Sequence, residues 1–435
     1  MSKKQSTVGN NVRVSQDCVN PSCKESYGIE NMLFTCKKCN SRLEYNFEGE
    51  YKGAKYNQYN NQWKNFDLIP LSDEKNIITL EEGGSAIIEL EEISQYLNGA
   101  KLHLMMDMEQ NPTGTFKDRE ASIILSRCKE LGLDNLVFYS TGNTGRAYTH
   151  YAAQLGLTTY FFMPQQCHYK NTDFIKKNPN NFIIHVNDNY PEIAPYAKKF
   201  AQVNNLTLIA PMQDRTEAYA TVAYEQFEKV PTCNYFVQTI ASGMGPIGYL
   251  RGHMNLVKFG FQKKEDIPRV VCIQSSEMNV MSVAYNNGRT EISNDDMPKT
   301  FADTLFEPTL NSTNPVNNYP DLYNCLKDSN GLITDVTPEY VNSKSAIILD
   351  ALKKRNIFPR TDKENSLLIE FAGLIKLAEA GTFKSDDTIV MLACGRGKDT
   401  SHNLLEPDAI IDPKVTEPVK LKQELQSRLL AKQNA

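Results

Sequence analysis

At 435 residues, with 40% hydrophobic and 23% charged positions, the chain can hold two core-bearing domains with appendages and is composed like a globular protein. A net charge of -5 offers no basic field to a phosphate backbone, which excludes nucleic acid as a first partner. No apolar run reaches the roughly 18 to 20 residues of a membrane span, and the opening MSKKQSTVGNNVRVSQ lacks an apolar signal core. A cytoplasmic protein without a membrane partner is expected.

Residues 1–16 are polar and lysine-rich and read as a mobile tail. Residues 17–45 hold four of the ten cysteines. Cys18 and Cys23 form one pair, Cys36 and Cys39 a second on a Cys-Lys-Lys-Cys knuckle, and four thiolates can close a tetrahedral zinc shell. Structural zinc in a ribbon-like module is the reading, with a degenerate ribbon or clustering without metal as the alternative. Cys128, Cys167, Cys233, Cys272 and Cys325 are scattered and read as small hydrophobes. Residues 46–66, rich in Asn and Tyr without periodicity, read as a linker.

From about residue 67 to 410, short apolar runs alternate with amphipathic stretches. Strands are expected at 136–140, 158–163, 182–187, 207–210, 235–240, 269–274 and 388–393. Helices are expected at 118–133, 145–156 and 366–381. This alternation predicts an α/β fold with parallel sheets covered on both faces, in two domains, the smaller (about 130–230) inserted in the larger. In the last segment, 411–435, Leu421, Leu425 and Leu429 stand four apart, as in a helix packed on the body or on a second copy in a homodimer.

Four turns carry candidate chemistry. Lys117, in NPTGTFKDRE, sits at a strand-to-helix junction, where parallel-sheet enzymes place their sites. A lone loop lysine is by itself usually a solvated charge. Residues 140–147, STGNTGRA, put Ser140, Thr141, Asn143 and Thr144 at a helix start. Glycines 142 and 145 there let N–H groups approach an anion. Residues 241–248, ASGMGPIG, follow another strand. Ser242, Gly243, Met244 and Gly245 suit a phosphate cradle, or simply a tight turn, with Pro246 at the first helical position. The last turn, ACGRGKDT at 393–400, contains Cys394. Four glycine-bearing turns after strands, one with a lysine, converge on the carboxyl ends of a parallel sheet.

These residues resemble the fold-type II pyridoxal-phosphate enzymes, in particular the threonine synthase and cysteate synthase group. NPTGTFKDR is similar to the motif whose lysine carries the cofactor as a Schiff base, and GNTG to the loop whose asparagine bonds the cofactor's 3-hydroxyl. ASGMGPIG takes the place of the phosphate cradle, and a cysteine ribbon also occurs in the group. Departures are Met106 and Met108 where a charged pair is usual, and Cys394 near the position of the ring-nitrogen partner. Arg146 and the DRTEAYATVAYE stretch with Arg215 look more like cysteate synthases. The resemblance implies phosphate-releasing replacement on a small O-phospho amino acid, chiefly β-replacement on O-phosphoserine. Threonine synthesis from O-phosphohomoserine is the alternative, and a catalytically silent sensor the reading from another class. Arg146 and Arg215 are candidates for the substrate phosphate, with salt bridges as their ordinary explanation.

Overall fold

A computed structural model of the chain describes all residues except 1–5, 9–11, 55, 57, 174, 176, 188–189, 210–212, 299–304, 311–314, 360–363, 396–402 and 434–435. The first unit is an antiparallel sheet of β1 (Ser6–Val8), β2 (Val12–Cys18), β3 (Ser26–Tyr27) and β4 (Leu43–Gly49), with β2 pairing all three others. Alternation in VRV and LEYNF turns Val12, Val14, Leu43, Tyr45 and Phe47 inward, all buried. Residues 12–16 are thus a strand, not part of a tail, because pairing with residues 45–49 gives their valines a core. The expected linker is packed as well. Asn61 caps a 3₁₀ helix, Gln62–Leu68, through the Trp63 N–H, and buries Trp63 and Phe66.

The chain then forms β5 (Ile87–Glu89), α1 (Glu91–Ser94), β6 (Lys101–Met105), α2 (Asp107–Gln110) and α3 (Lys117–Glu130). Next come β7 (Asn135–Tyr139), α4 (Asn143–Ala153), β8 (Thr158–Pro164), β9 (Asn181–Val186), α5 (Tyr190–Val203), β10 (Thr207–Leu208) and α6 (Gln213–Lys229). The remainder is β11 (Tyr235–Thr239), α7 (Met244–Lys258), β12 (Arg269–Ser275), α8 (Val280–Asn286), α9 (Tyr319–Asp328), β13 (Leu332–Val336) and α10 (Pro338–Lys354). After these follow α11 (Ser366–Glu379), β14 (Thr388–Leu392), β15 (Ala409–Ile411) and α12 (Pro418–Gln433).

Two sheets organise these elements. One has the order β10-β7-β8-β9-β15 and is wholly parallel. The other, β13-β12-β11-β14-β6-β5, is parallel except at its β5 edge. The smaller sheet draws its strands from 135–208 and 409–411, a narrower span than 130–230. α6 lies outside it because glycines let α7 approach: a Cβ on Gly252 would stand 2.5 Å from the Ala220 carbonyl oxygen. α12 packs on the body, with Leu421 and Leu425 buried in a cluster with Phe182, Ile184 and Phe200. Among the described residues no helix is long and apolar enough to cross a membrane.

Candidate active site

Three of the four turns, and the described start of the last, meet at one cavity of about 360 Å³ between the two sheets. Lys117 begins α3, and Thr115 bridges to Gly395, which sets the lysine beside Cys394. Residues 396–400 of the last turn lie outside the described residues. Lys117 lines the cavity from the start of α3, Ser140 and Thr141 line it from the turn after β7, and Asn143 and Thr144 from the start of α4. Ser242, Gly243, Met244 and Gly245 line it from the start of α7, together with Cys394 after β14 and Arg215 on α6. The volume is within the range of cofactor and ligand sites, roughly 300 to 1,000 Å³.

Lys117 is not a solvated loop charge. Its Nζ donates to the phenolic oxygen of Tyr219 at 2.6 Å and stands 3.9 Å from Glu120 Oε2. Burial lowers the lysine's pKa, with Arg215 acting the same way and Glu120 opposing. The Tyr219 hydroxyl in turn donates to Glu120. Burial would raise the Glu120 carboxyl, but Arg215 and Lys117 outweigh it and hold it low. Burial and then Glu120 keep the Tyr219 phenol well above its ordinary value, hence protonated. The result is a line of hydrogen bonds from lysine through phenol to carboxylate.

The loop at 140–145 differs from expectation. The Gly142 and Gly145 amides do not face an anion; both donate to Ser140 Oγ, at 3.1 and 3.0 Å. Gly145 is required by packing, since a Cβ there would lie 2.0 Å from the Phe161 ring. Asn143 Nδ2 donates to Glu364 at 3.3 Å, while its Oδ1 is buried without a partner. Glu364 also accepts from Ser366 at 2.9 Å and lies 3.5 Å from the buried Lys170.

At the opposite wall Gly243 adopts φ +80° just ahead of α7, a conformation that favours glycine. A Cβ on Gly245 would come within 2.4 Å of the Gln238 amide. The close approach aims the amides of a 15-residue helix at the cavity, a natural anion position. Gln238 Nε2 lies 3.5 Å from Cys394 Sγ, and burial raises the thiol well above its usual range.

The two arginines separate. Arg215 lines the cavity, with Nε 3.6 Å from Glu120 Oε2. Arg146 is not among the lining residues; it is buried on α4, where its charge acts on Asp118. The Met106 and Met108 departure is filled by Asp107, which grips Arg119 at 2.7 and 2.8 Å. Tyr219, Glu120, Gln238 and Glu364 were not identified from sequence. Glu120 follows Lys117 by three and Tyr219 follows Arg215 by four, spacings that share a helix face. A glutamine inside the apolar run YFVQT was a further signal.

Away from this cavity, Cys18, Cys23, Cys36 and Cys39 gather their sulfurs within 4.8 Å of one another, with Cys18–Cys39 at 3.4 Å and Cys23–Cys36 at 3.7 Å. Tetrahedral zinc–thiolate bonds of ~2.3 Å would space sulfurs about 3.8 Å apart, so the set fits such an ion.

Comparison with known proteins agrees with this architecture. Over 427 residues the chain is 25% identical to the threonine synthase of Methanocaldococcus jannaschii, covering 94% of this chain and 97% of that one. It is 26% identical over 299 residues to the cysteate synthase of Methanosarcina acetivorans, covering 66% and 69%. Among solved structures, maize serine racemase superposes with a TM-score of 0.58 at 15% identity, over 73% of this chain and 90% of that one, a likeness of fold. The sequence profile of the family described as "Pyridoxal-phosphate dependent enzyme" matches residues 78–345. The chain therefore belongs to the pyridoxal-phosphate dependent enzymes of fold type II, with threonine synthases and cysteate synthases as its sequence relatives.

Proposed function

We propose that the protein catalyses a phosphate-releasing replacement on an O-phospho amino acid, chiefly β-replacement on O-phosphoserine with a sulfur nucleophile such as sulfite. One observation carries this reading: Lys117, the amide-rich start of α7 and Arg215 face a single cavity large enough for a cofactor and a small substrate. The residues present fit pyridoxal phosphate. The α7 amides at Ser242–Gly245 would hold its phosphate, Asn143 its 3-hydroxyl, and Cys394 would lie toward the ring nitrogen. The unpartnered Asn143 Oδ1 marks a polar contact still to be made.

Bound there, the cofactor supplies an electron-accepting ring that acidifies the substrate's Cα–H. Lys117 Nζ is the group placed to take that proton, and its lowered pKa suits a base. Tyr219 and Glu120 can pass the proton onward along their hydrogen bonds. Ser140, Thr141 and Thr144 offer hydroxyls to the substrate carboxylate. Arg215, with Lys198 also lining the cavity, would meet the dianionic phosphate. Arg146, lying outside the lining, has no part in this reading. The sequence alignment favours a second reading, threonine formation from O-phosphohomoserine, since the threonine synthase match spans nearly the whole of both chains.

For the four cysteines we read a structural zinc, because four sulfurs within 4.8 Å of one another can close on a single ion. The catalytic proposal is tested by incubating the cofactor-loaded protein with O-phosphoserine or O-phosphohomoserine, each with water, sulfite or sulfide, and following phosphate and products. Cysteate or cysteine from O-phosphoserine supports β-replacement, and threonine from O-phosphohomoserine supports the second reading. Phosphate release from neither substrate contradicts both.

A further inference from the structure

A second cavity, of about 510 Å³, lies next to the first. The cysteine module walls one side with Phe34, Thr35 and the Arg42–Glu44 segment, and α6, α7 and α9 wall the other. Thr35 bridges to Arg42, so this wall is part of the Cys36–Cys39 knuckle. The proposed chemistry uses none of these residues except Met244, which sits on the partition.

Charge is the first distinguishing property. Among the described lining residues, Glu44, Glu217, Asp321 and Asp328 are set against two cations, Arg42 and Arg251. Arg42 is engaged by Glu44 at 2.8 Å and by Asp321 at 2.9 Å, and Arg251 by Glu217 Oε1 at 3.1 Å. The second property is an unfinished contact. Glu217 is 1% exposed, and its Oε2 is buried without a hydrogen-bond partner. A buried carboxyl oxygen lacking a partner is costly, and burial, with Arg251 opposing, pushes the Glu217 pKa up to about 7, so a cationic N–H donor would both complete the contact and hold the group ionised. The third is an apolar stripe: Met244, Ile247, Leu250 and Met254 lie along one face of α7 beside that carboxylate. An acidic end and an apolar flank together select an organic cation with N–H donors and an alkyl body.

The two cavities share Met244, Asn317 and Asn318. Asn318 Nδ2 donates to the Ser242 carbonyl at 3.2 Å, directly on the glycine loop. An occupant of the second cavity would thus press on the residues that position the first. We propose that the second cavity is an effector site for a small alkyl cation, recognised by Glu217, whose binding orders the Ser242–Gly245 loop.

The test titrates n-pentylguanidinium, with 1-pentanol as its uncharged counterpart, calorimetrically into the cofactor-loaded protein. A guanidinium is a poor nucleophile toward the cofactor, so binding is read without turnover and whether or not a phospho amino acid is the substrate. Expected are binding at least 10-fold tighter than pentanol, a 10-fold or greater loss in Glu217→Gln, and a similar loss in Met254→Trp, which fills the rim. Saturation should slow amide hydrogen exchange at Ser242–Gly245 by 5-fold or more. Equal binding by Glu217→Gln and Met254→Trp, or no binding to wild type at millimolar concentration, would overturn the site. Binding with unchanged exchange would overturn its coupling to the loop.

Discussion

Lys117 and Tyr219, 102 residues apart in the chain, are joined by a 2.6 Å hydrogen bond in which the lysine donates to the phenol. The contact exists because α6 packs on α3, and it ends on the buried carboxylate of Glu120. If this line carries the proton taken from substrate, Tyr219→Phe should lower the rate of phosphate release about 100-fold, the lower range for losing an acid–base partner. Cofactor incorporation should persist and the pH–rate profile should shift. An unchanged profile with a small, uniform loss would reduce Tyr219 to packing.

Arg215 should matter most for phosphorylated substrates. Losing a charge-assisted hydrogen bond costs about 1.5 to 3 kcal/mol, so Arg215→Ala should lower kcat/KM on O-phosphoserine about 10-fold or more. Cofactor absorbance should remain. Equal losses on serine and O-phosphoserine would assign Arg215 only to holding Glu120.

Arg119 is fully buried between Asp107, bonded through Nε and Nη2, and Glu225, bonded through Nη1 and Nη2, at 2.7 to 2.9 Å. Arg119→Met strands two carboxylates and should cost about 3 to 5 kcal/mol in urea unfolding, the usual loss when one partner of a buried ion pair is removed. A change below about 1 kcal/mol would mean that the carboxylates protonate or find other donors.

His185 is buried, and both its ring nitrogens lack hydrogen-bond partners. Burial, then the neighbouring His168, pushes its pKa down to about 4 from 6.5. The unfolded chain therefore takes up a proton near pH 6.5 that the fold refuses until about pH 4. Its share of stability, whole above pH 6.5, declines as pH falls through that window, by about 3 kcal/mol. His185→Leu should remove this part of the acid sensitivity. Parallel curves of unfolding free energy against pH for variant and wild type would contradict the reading.

Metal analysis checks the cysteine cluster. About one zinc per chain is expected, with chelator or Cys36→Ser lowering the thermal midpoint through the amino-terminal sheet. Protein prepared without chelator and free of zinc would remove the support for a metal.

Six of the seven expected strands were legible because strands buried on both faces of a parallel sheet are continuous hydrophobic stretches, whereas β10 is a short, half-buried edge strand. The short β5 and β15 and the mixed KLHLM and LITDV of β6 and β13 carry no such run. β2 was hidden because the opening is lysine-rich and its partner is distant. Lys117, Asn143, the glycine loop and Cys394 were readable since each belongs to a local turn. Tyr219, Glu120, Gln238 and Glu364 join them only through packing of α3, α6, β11 and the segment ahead of α11. Arg146 shows the converse: a position beside a motif does not by itself place a side chain in the cavity.

The most direct test of the account is where the cofactor attaches. The purified, cofactor-loaded protein should be yellow, lose that absorbance on borohydride reduction, and yield a single pyridoxyl-modified peptide with the mass on Lys117. A Lys117→Ala protein should give none. Modification at another lysine, or an equally reducible adduct in Lys117→Ala, would contradict the assignment of this cavity as the active site.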